Sequence, residues 1–226
     1  IDKKQAVSMI DPRNLDTLLH PQFDPAALKK ATPVATALGY ELVIMAPEAE
    51  DDYATQTSMM EDMITQGVKG IAVCGINLDA LIPAIKKANE AGVPVVMVNT
   101  ITEIEGAEVY AYSGYNQYNG GAKIADWVNA QTNGTAKVAI IEGLPSDYTT
   151  QRMGGFVDKC AEAYPGIPVV ASQPGDWVRE KGMNAAMDMI QAHPEITVIY
   201  GLSDEMALGA YQACQQLGRG DIITVG

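Results

Sequence analysis

Side chains that suit ligand binding follow predicted strands at four places in the chain. Asn99, Arg152, Trp177 and Ser203 each come after a short apolar run that is typical of a buried strand. In open sheets of parallel strands, ligands bind outside the carboxyl ends of the strands. Because these side chains can form hydrogen bonds or cover a ring, they are the first candidates for a binding site.

Each candidate also has an alternative role. Asn99 suits a turn at a strand exit, and Ser203 suits the N-cap of the next helix. Arg152 is predicted in the first turn of a helix, where the dipole disfavours a cation, so we expect a function there rather than a surface ion pair. Trp177 needs its face covered, either by packing under its loop or by the apolar C–H face of a sugar ring.

Catalytic and metal-binding patterns do not occur in the sequence. There is no GxSxG, HExxH, GxxxxGK[ST] or CxxC segment. The two histidines are His20, expected on a loop, and His193, expected at a helix end in contact with the terminal carbonyls. The 28 acidic residues show no spacing that singles out an acid–base pair. We therefore expect a protein that is not an enzyme and that uses no metal and no cofactor.

The composition argues against several further classes. Of the 226 residues, 15 are basic and 28 acidic, which gives a formal net charge of −13. No Lys/Arg cluster offers the basic surface that nucleic-acid binding requires, and no apolar run approaches the ~20 residues of a membrane span. The three cysteines, Cys74, Cys160 and Cys214, are too few for a disulfide framework, although a bridge between Cys160 and Cys214 stays open.

Short apolar strands alternate with amphipathic helices along the chain. Strands are predicted at Ala6–Ile10, Glu41–Met45, Gly70–Val73, Val95–Val98, Val109–Tyr112, Lys137–Ile141, Val169–Ala171, Thr197–Tyr200 and Ile222–Val225. Helices are predicted near 25–38, 53–66, 79–91, 116–131, 150–163, 179–192 and 204–217. Several strands are continuous β-branched runs, which is typical of parallel sheets buried on both faces. The alternation predicts an α/β fold built from βαβ units.

The alternation is interrupted once and then restarts. Four predicted strands precede the irregular stretch Asn99–Ala107, and the next begins at Val109. The segment Ser113–Asn116 resembles a crossing between two units. We therefore predict two similar α/β lobes at 1–112 and 113–226, each a parallel sheet flanked by helices, with a hinge at about 112–116.

Several segments resemble the periplasmic sugar-binding proteins of ABC importers, specifically the ribose-binding type with the type I two-lobed fold. The segments that carry this resemblance are Gly67–Ile71, Ala84–Val95, Gln151–Phe156, Ala171–Trp177 and Asp204–Ala210. The resemblance covers nearly the whole chain, and Asp204–Ala210 is its most distinctive part.

The resemblance implies roles for individual residues. Arg152 matches an arginine that binds sugar hydroxyls, and Trp177 falls where the family has an aromatic stacking residue. Phe23 falls near the aromatic pair of the first lobe, in a loop that departs from the family pattern. Ser203 takes the place of a hydrogen-bonding Asn in the second lobe.

The first lobe departs from the ribose-binding pattern at Asn99-Thr100, where that family has an Asp-Arg pair. Loss of a charged pair removes strong hydrogen bonds to ligand hydroxyls. A different pentose, a hexose or a sugar alcohol is therefore as well supported as ribose.

By this resemblance, the chain is expected to be the solute receptor of an ABC importer. It would bind a monosaccharide or sugar alcohol in the cleft between its lobes, close by hinge motion, and dock on a membrane permease. The resemblance also implies a monomer in the periplasm, exported by a signal segment absent from this chain, and a C-terminal segment beyond Gly226.

Two alternatives remain open. One is the effector-binding core of a lactose-repressor-type transcription regulator, which shares the fold and would need a helix-turn-helix segment before the first strand. The other is an enzyme that uses Asp147, Tyr148 or Glu205.

Overall fold

Strands and helices alternate along the chain. The computed structural model describes residues 4–9, 35–45, 47 and 52–226. The strands are β1 (Lys4–Met9), β2 (Tyr40–Met45), β3 (Gly70–Val73), β4 (Val95–Val98), β5 (Ala111–Ser113), β6 (Val138–Glu142), β7 (Val169–Pro174), β8 (Val198–Gly201) and β9 (Ile223–Val225). The helices are α1 (Tyr53–Thr65), α2 (Leu78–Glu90), α3 (Gln117–Thr132), α4 (Asp147–Ala163), α5 (Arg179–Ala192) and α6 (Asp204–Gln216).

The strands form two parallel sheets. The first has the order β2-β1-β3-β4-β5, and the second has the order β7-β6-β8-β9. The predicted α/β class with parallel sheets is confirmed. Since parallel strands point the same way, the loops that follow the strands of one sheet gather at its carboxyl edge.

The chain divides by its internal contacts into two compact units, residues 1–115 and 116–226. Each unit has its own apolar core, to which both helices and strands contribute. The first core includes Met60, Met63, Ile71, Val73, Leu81, Ile85 and Met97, and the second includes Ile140, Ile141, Phe156, Met189, Ile199 and Met206. Within the described part of the chain, no helix combines the length and apolar character that crossing a membrane requires.

All nine predicted strands are present, with some ends shifted by up to three residues. The helix predicted near 25–38 lies mostly outside the described residues. The largest error in the other helices is at the start of α4, which begins at Asp147 rather than at residue 150. The cause is the cap, because the hydroxyl of Ser146 accepts a hydrogen bond from the Thr149 backbone N–H at 3.3 Å.

Two glycines bring α3 and α4 into backbone contact. A Cβ at Gly121 would overlap the carbonyl oxygen of Arg152, and a Cβ at Gly155 would overlap that of Tyr118. Glycine in a helix interior costs about 1 kcal/mol relative to alanine. These glycines are retained despite that cost because they permit the close approach of the two helices.

Glycines also allow close contact between α5 and α6. A Cβ at Gly209 would overlap the carbonyl oxygen of Arg179, and a Cβ at Gly182 would crowd Met206. The two helix pairs of the second unit therefore pack more closely than ordinary side chains would allow.

Candidate functional site

Three loops gather at the carboxyl edge of the second sheet. They follow β6, β7 and β8, and β6 is the neighbour of both other strands. Two of these loops carry the predicted site residues Trp177 and Ser203. The third predicted residue of this unit, Arg152, contacts the same edge from α4.

Arg152 donates hydrogen bonds to an amide oxygen and to a backbone carbonyl oxygen, both of which are neutral. Its Nε donates to Oε1 of Gln117 at 2.6 Å, and its Nη1 donates to the carbonyl oxygen of Leu202 at 2.6 Å. The prediction that Arg152 lies in the first helical turn is wrong, because α4 begins at Asp147 and Arg152 is its sixth residue. Its position is explained by these contacts at the sheet edge rather than by the end of the helix.

Trp177 lies in a turn of unusual backbone conformation directly after β7. Asp176 and Trp177 have φ angles of 51° and 66°, which are rare and strained for residues with a side chain. The backbone N–H groups of Gly175 and Asp176 both donate to the carbonyl oxygen of Glu142, at 2.8 and 3.1 Å. The turn is thereby tied to the end of β6, and the indole lies against Gly143, the residue that follows this strand.

The indole of Trp177 is bounded by a glycine and an arginine. A Cβ at Gly143 would overlap three adjoining ring atoms, Cε2, Cζ2 and Cη2, to a similar degree. Gly143 therefore lies against the face of the ring rather than its rim. The guanidinium carbon of Arg152 is 5.5 Å from the ring centroid, within the range of a cation–π interaction. Trp177 packs on the core yet stays half-buried, so it retains surface for a ligand.

Two ion pairs hold the chain on either side of Trp177. Nζ of Lys181 lies 2.7 Å from Oδ2 of Asp176. Arg179 and Glu205 form a two-pronged pair, with Nε to Oε2 at 2.8 Å and Nη2 to Oε1 at 3.0 Å. Such forked geometry fixes direction as well as distance. The start of α5, which follows Trp177, is thus fixed to the start of α6.

Ser203 has the structural role that was its alternative. Its hydroxyl accepts a hydrogen bond from the Met206 backbone N–H at 3.3 Å, as the N-cap of α6. The next residue, Asp204, has its pKa raised by partial desolvation and by Glu205, while the positive charge of Arg152 acts to lower it. A ligand contact by Ser203 stays a prediction.

Asn99 and Thr100 lie at the carboxyl edge of the first sheet, in the other unit. Asn99 has a φ of 66°, and its backbone N–H donates to the Ser113 carbonyl oxygen at 2.8 Å. The hydroxyl of Thr100, a residue that is 1% exposed, accepts from the Thr102 backbone N–H at 3.0 Å. The left-handed turn suits an asparagine. Ligand binding by Asn99 stays a prediction.

Phe23 and His20 lie outside the described residues. His193 is described, and its backbone N–H donates to the Met189 carbonyl oxygen at 2.8 Å, as at any helix end, so the contact predicted for its side chain is not found. Its ring instead has Nδ1 at 3.3 Å from Oε1 of Glu195. A carboxylate two residues away offers the ring a stronger partner than a carbonyl does.

Two buried glutamines were not foreseen from the sequence. Gln117 is 2% exposed and holds Arg152. Gln56 is 1% exposed, donates to the Cys74 carbonyl oxygen at 2.9 Å and accepts from the Ile76 backbone N–H at 2.9 Å. The glycine pairs at 120–121 and 154–155 were a usable signal for Gln117, because glycine pairs inside predicted helices indicate close helix packing.

Metal and thiol chemistry find little support in the described part of the chain. There, no group of three or more His, Cys, Asp or Glu side chains is arranged to hold a metal ion. Cys160 and Cys214 are free and buried, so the bridge left open above does not form. Burial raises the pKa of the Cys160 thiol to about 11 and also raises that of Cys214.

Known proteins similar to this chain are sugar-binding components of importers. The ribose import binding protein of Bacillus subtilis is 32% identical over 214 residues, a match that covers 94% of this chain and 67% of that protein. Its counterpart in Escherichia coli is 30% identical over 213 residues, covering 94% of this chain and 70% of that protein. Further relatives are named as D-allose-binding and xylitol-binding proteins.

The fold is matched by a solved structure with a bound sugar. The periplasmic solute-binding protein of an ABC transporter from Actinobacillus succinogenes, with bound D-allose, superposes with a TM-score of 0.83 at 27% identity. That match covers 98% of this chain and 76% of the other. The family model described as "periplasmic binding protein domain" matches residues 16–226. This chain therefore belongs to the family of periplasmic binding proteins.

Proposed function

We propose that this protein is the solute receptor of an ABC-type importer and that it binds a monosaccharide or a sugar alcohol. The observation that carries the proposal is the pairing of Arg152 with Trp177 at the carboxyl edge of the second sheet. The guanidinium carbon of Arg152 lies 5.5 Å from the centroid of the indole ring. A guanidinium group donates hydrogen bonds to hydroxyl oxygens, and an indole covers the apolar C–H face of a sugar.

The ligand class follows from the chemistry of that edge and from the names of the relatives. Arg152 donates to an amide and to a carbonyl, and its positive charge also acts on the carboxyl group of Asp204. Relatives are named for ribose, D-allose and xylitol, which are all neutral polyols. We propose Asn99 and Phe23 as ligand residues of the first unit, and Ser203 as a further one of the second.

The remaining features of the proposal concern the whole protein. We propose that the two units act as the two lobes predicted at 1–112 and 113–226, joined at about 112–116. The protein would act in the periplasm as a monomer, deliver its ligand to a membrane permease, bind no nucleic acid and catalyse no reaction. The periplasmic names of the relatives support the location.

A fluorescence titration tests the proposal. Trp127 and Trp177 are the two tryptophans, so Trp127→Phe leaves Trp177 as the only reporter. That protein is titrated with ribose, D-allose, arabinose, glucose, myo-inositol and xylitol. A saturable change with one of these, lost in Arg152→Ala, is the expected result. If none of these sugars changes the fluorescence or gives a calorimetric signal, the proposal is contradicted. Turnover of a sugar would contradict the expectation of no catalysis.

A further inference from the structure

We propose that Gln117 is a positioning residue that fixes the direction in which Arg152 offers its hydrogen bonds to the ligand. This inference rests on the proposed function. It concerns a residue on α3 that need not touch the ligand itself and that acts through Arg152 on α4.

The contacts of Arg152 define the orientation of its guanidinium plane. Nε of Arg152 donates to Oε1 of Gln117, and Nη1 donates to the carbonyl oxygen of Leu202, both at 2.6 Å. A single bond would leave the group free to rotate about the donor, whereas two bonds from different nitrogens fix the plane. The plane fixed in this way lies beside the ring of Trp177.

The burial of Gln117 indicates a specific role. The residue is 2% exposed, and a buried amide is costly unless its polar atoms are hydrogen-bonded. An apolar side chain at the start of α3 would fill the same space without that requirement. One of these hydrogen bonds is made with the side chain of Arg152.

The glycines of the two helices make this bond possible. Gln117 and Gly121 are four residues apart on α3 and lie on one face of the helix. A Cβ at Gly121 would overlap the Arg152 carbonyl oxygen, so the helix backbones meet one turn from the hydrogen bond. The Gln117 side chain reaches Nε of Arg152 because the backbones of α3 and α4 are in contact here.

The neutrality of Gln117 suits a positioning role for a neutral ligand. A carboxylate at this position would also accept from Nε, but it would add a negative charge beside the guanidinium. The amide orients Arg152 and adds no charge of its own. Charge-assisted hydrogen bonds, which are stronger than neutral ones, remain the means by which Arg152 meets ligand hydroxyls.

The test uses Gln117→Leu and Gln117→Glu in the Trp127→Phe protein, so that Trp177 is the only tryptophan. Gln117→Leu removes the acceptor and is expected to lower sugar affinity about tenfold. Gln117→Glu keeps the acceptor but adds a negative charge beside the guanidinium, so its affinity at neutral pH is expected to fall by about threefold, less than in the Leu variant. Without ligand, acrylamide is expected to quench Trp177 more in the Leu variant than in the parent, because Arg152 no longer stays beside the ring.

Gln56→Leu is the matched control, since Gln56 is an equally buried glutamine that holds backbone in the first unit. It should lower the melting temperature and leave the quenching of Trp177 unchanged. Equal quenching and equal affinity in Gln117→Leu and the parent would overturn the inference. So would a loss of affinity in Gln117→Glu as large as that in Gln117→Leu, because the bond to Arg152 would then not be the cause.

The readout without ligand separates the two proposals. If the parent protein binds none of the sugars while Gln117→Leu still changes Trp177 quenching, the proposed function fails and the positioning of Arg152 stands. If the parent binds a sugar and the Leu variant behaves as the parent in both measurements, the positioning role fails and the proposed function stands.

Discussion

In the first unit a buried glutamine, Gln56, bonds the backbone of the loop after β3, whereas in the second unit a buried glutamine, Gln117, bonds the side chain of Arg152. The residue type and the burial are alike in the two units, and the partners differ. In the described part of the first unit, polar groups at the sheet edge hold the backbone. In the second unit they also hold an arginine beside a tryptophan.

The difference shows that two units of the same α/β architecture can use a buried glutamine in two ways, either to hold a loop backbone or to hold another side chain. A buried amide that satisfies loop N–H and carbonyl groups contributes mainly to the free energy of unfolding. A buried amide that bonds a half-buried guanidinium group fixes the direction of that group, which we propose as a donor to the ligand. We therefore expect substitutions at Gln56 to change the free energy of unfolding alone, and substitutions at Gln117 to change ligand affinity as well.

The largest effect is expected where α3 meets α4. Gly121→Ala forces a methyl group into the Arg152 carbonyl oxygen, and we expect it to lower the free energy of unfolding by about 3 kcal/mol. Gly67→Ala is the matched change in the first unit, because Gly67 has a φ of 76° and open space around it. It should cost only about 1 kcal/mol. Urea titration measures both, and equal losses would contradict the close packing of α3 on α4.

Arg152→Ala and Asn99→Gly compare the two sheet edges in binding. Arg152→Ala removes charged donors and should weaken sugar binding about a hundredfold. Asn99→Gly removes the amide but keeps the left-handed turn, so it should weaken binding only about fivefold. Calorimetric titration with the sugar that the fluorescence titration identifies gives both values. A larger loss for Asn99→Gly than for Arg152→Ala would reverse the proposed division between the units.

Gln56→Leu tests the structural role of the first buried glutamine. It leaves the Cys74 carbonyl and the Ile76 N–H without the partner that Gln56 provides. We expect the free energy of unfolding to fall by about 2 kcal/mol, as for the loss of buried hydrogen bonds. Thermal and urea unfolding measure it, with Gln117→Leu alongside. An unchanged stability would show that the loop after β3 does not depend on this amide.

The cysteines give the smallest effect. Burial raises the pKa of Cys160 to about 11 and raises that of Cys214 as well, so both stay protonated in the native protein at pH 8. Above their ordinary pKa near 9 the unfolded chain ionises first, and their contribution to stability falls as the pH rises toward the folded-state values.

The measurement for the cysteines is reaction with a chromogenic disulfide at pH 8. Cys74 is only partly buried and should react first, while Cys160 and Cys214 react on unfolding. Three equal rates in the native protein would contradict the burial of the second core.

The sequence predicts the strands well because buried parallel strands are short continuous apolar runs, as at Val95–Val98, which matches β4 at both ends. It also predicts that Arg152 and Trp177 lie near one sheet edge, since this depends on chain order. The start of α4 was missed because Ser146 was not recognised as its cap. A cap depends on one side chain and one N–H, which the apolar pattern does not reveal.

The contacts within the site could not be predicted in the same way. The bond between Gln117 and Arg152 depends on the distance between two helices. The glycine pairs of these helices indicate close packing, but they do not show which side chains meet across it. The position of the Trp177 ring depends on a strained turn and on the absence of a side chain at Gly143. Both are consequences of tertiary packing.

The central claim is that Arg152 and Trp177 bind the sugar together. A crystal structure of the protein with the sugar found by titration tests it most directly. The account predicts the C–H face of the sugar against the Trp177 indole and a sugar hydroxyl within hydrogen-bonding distance of the Arg152 guanidinium group. A sugar that is bound elsewhere and touches neither residue would contradict it.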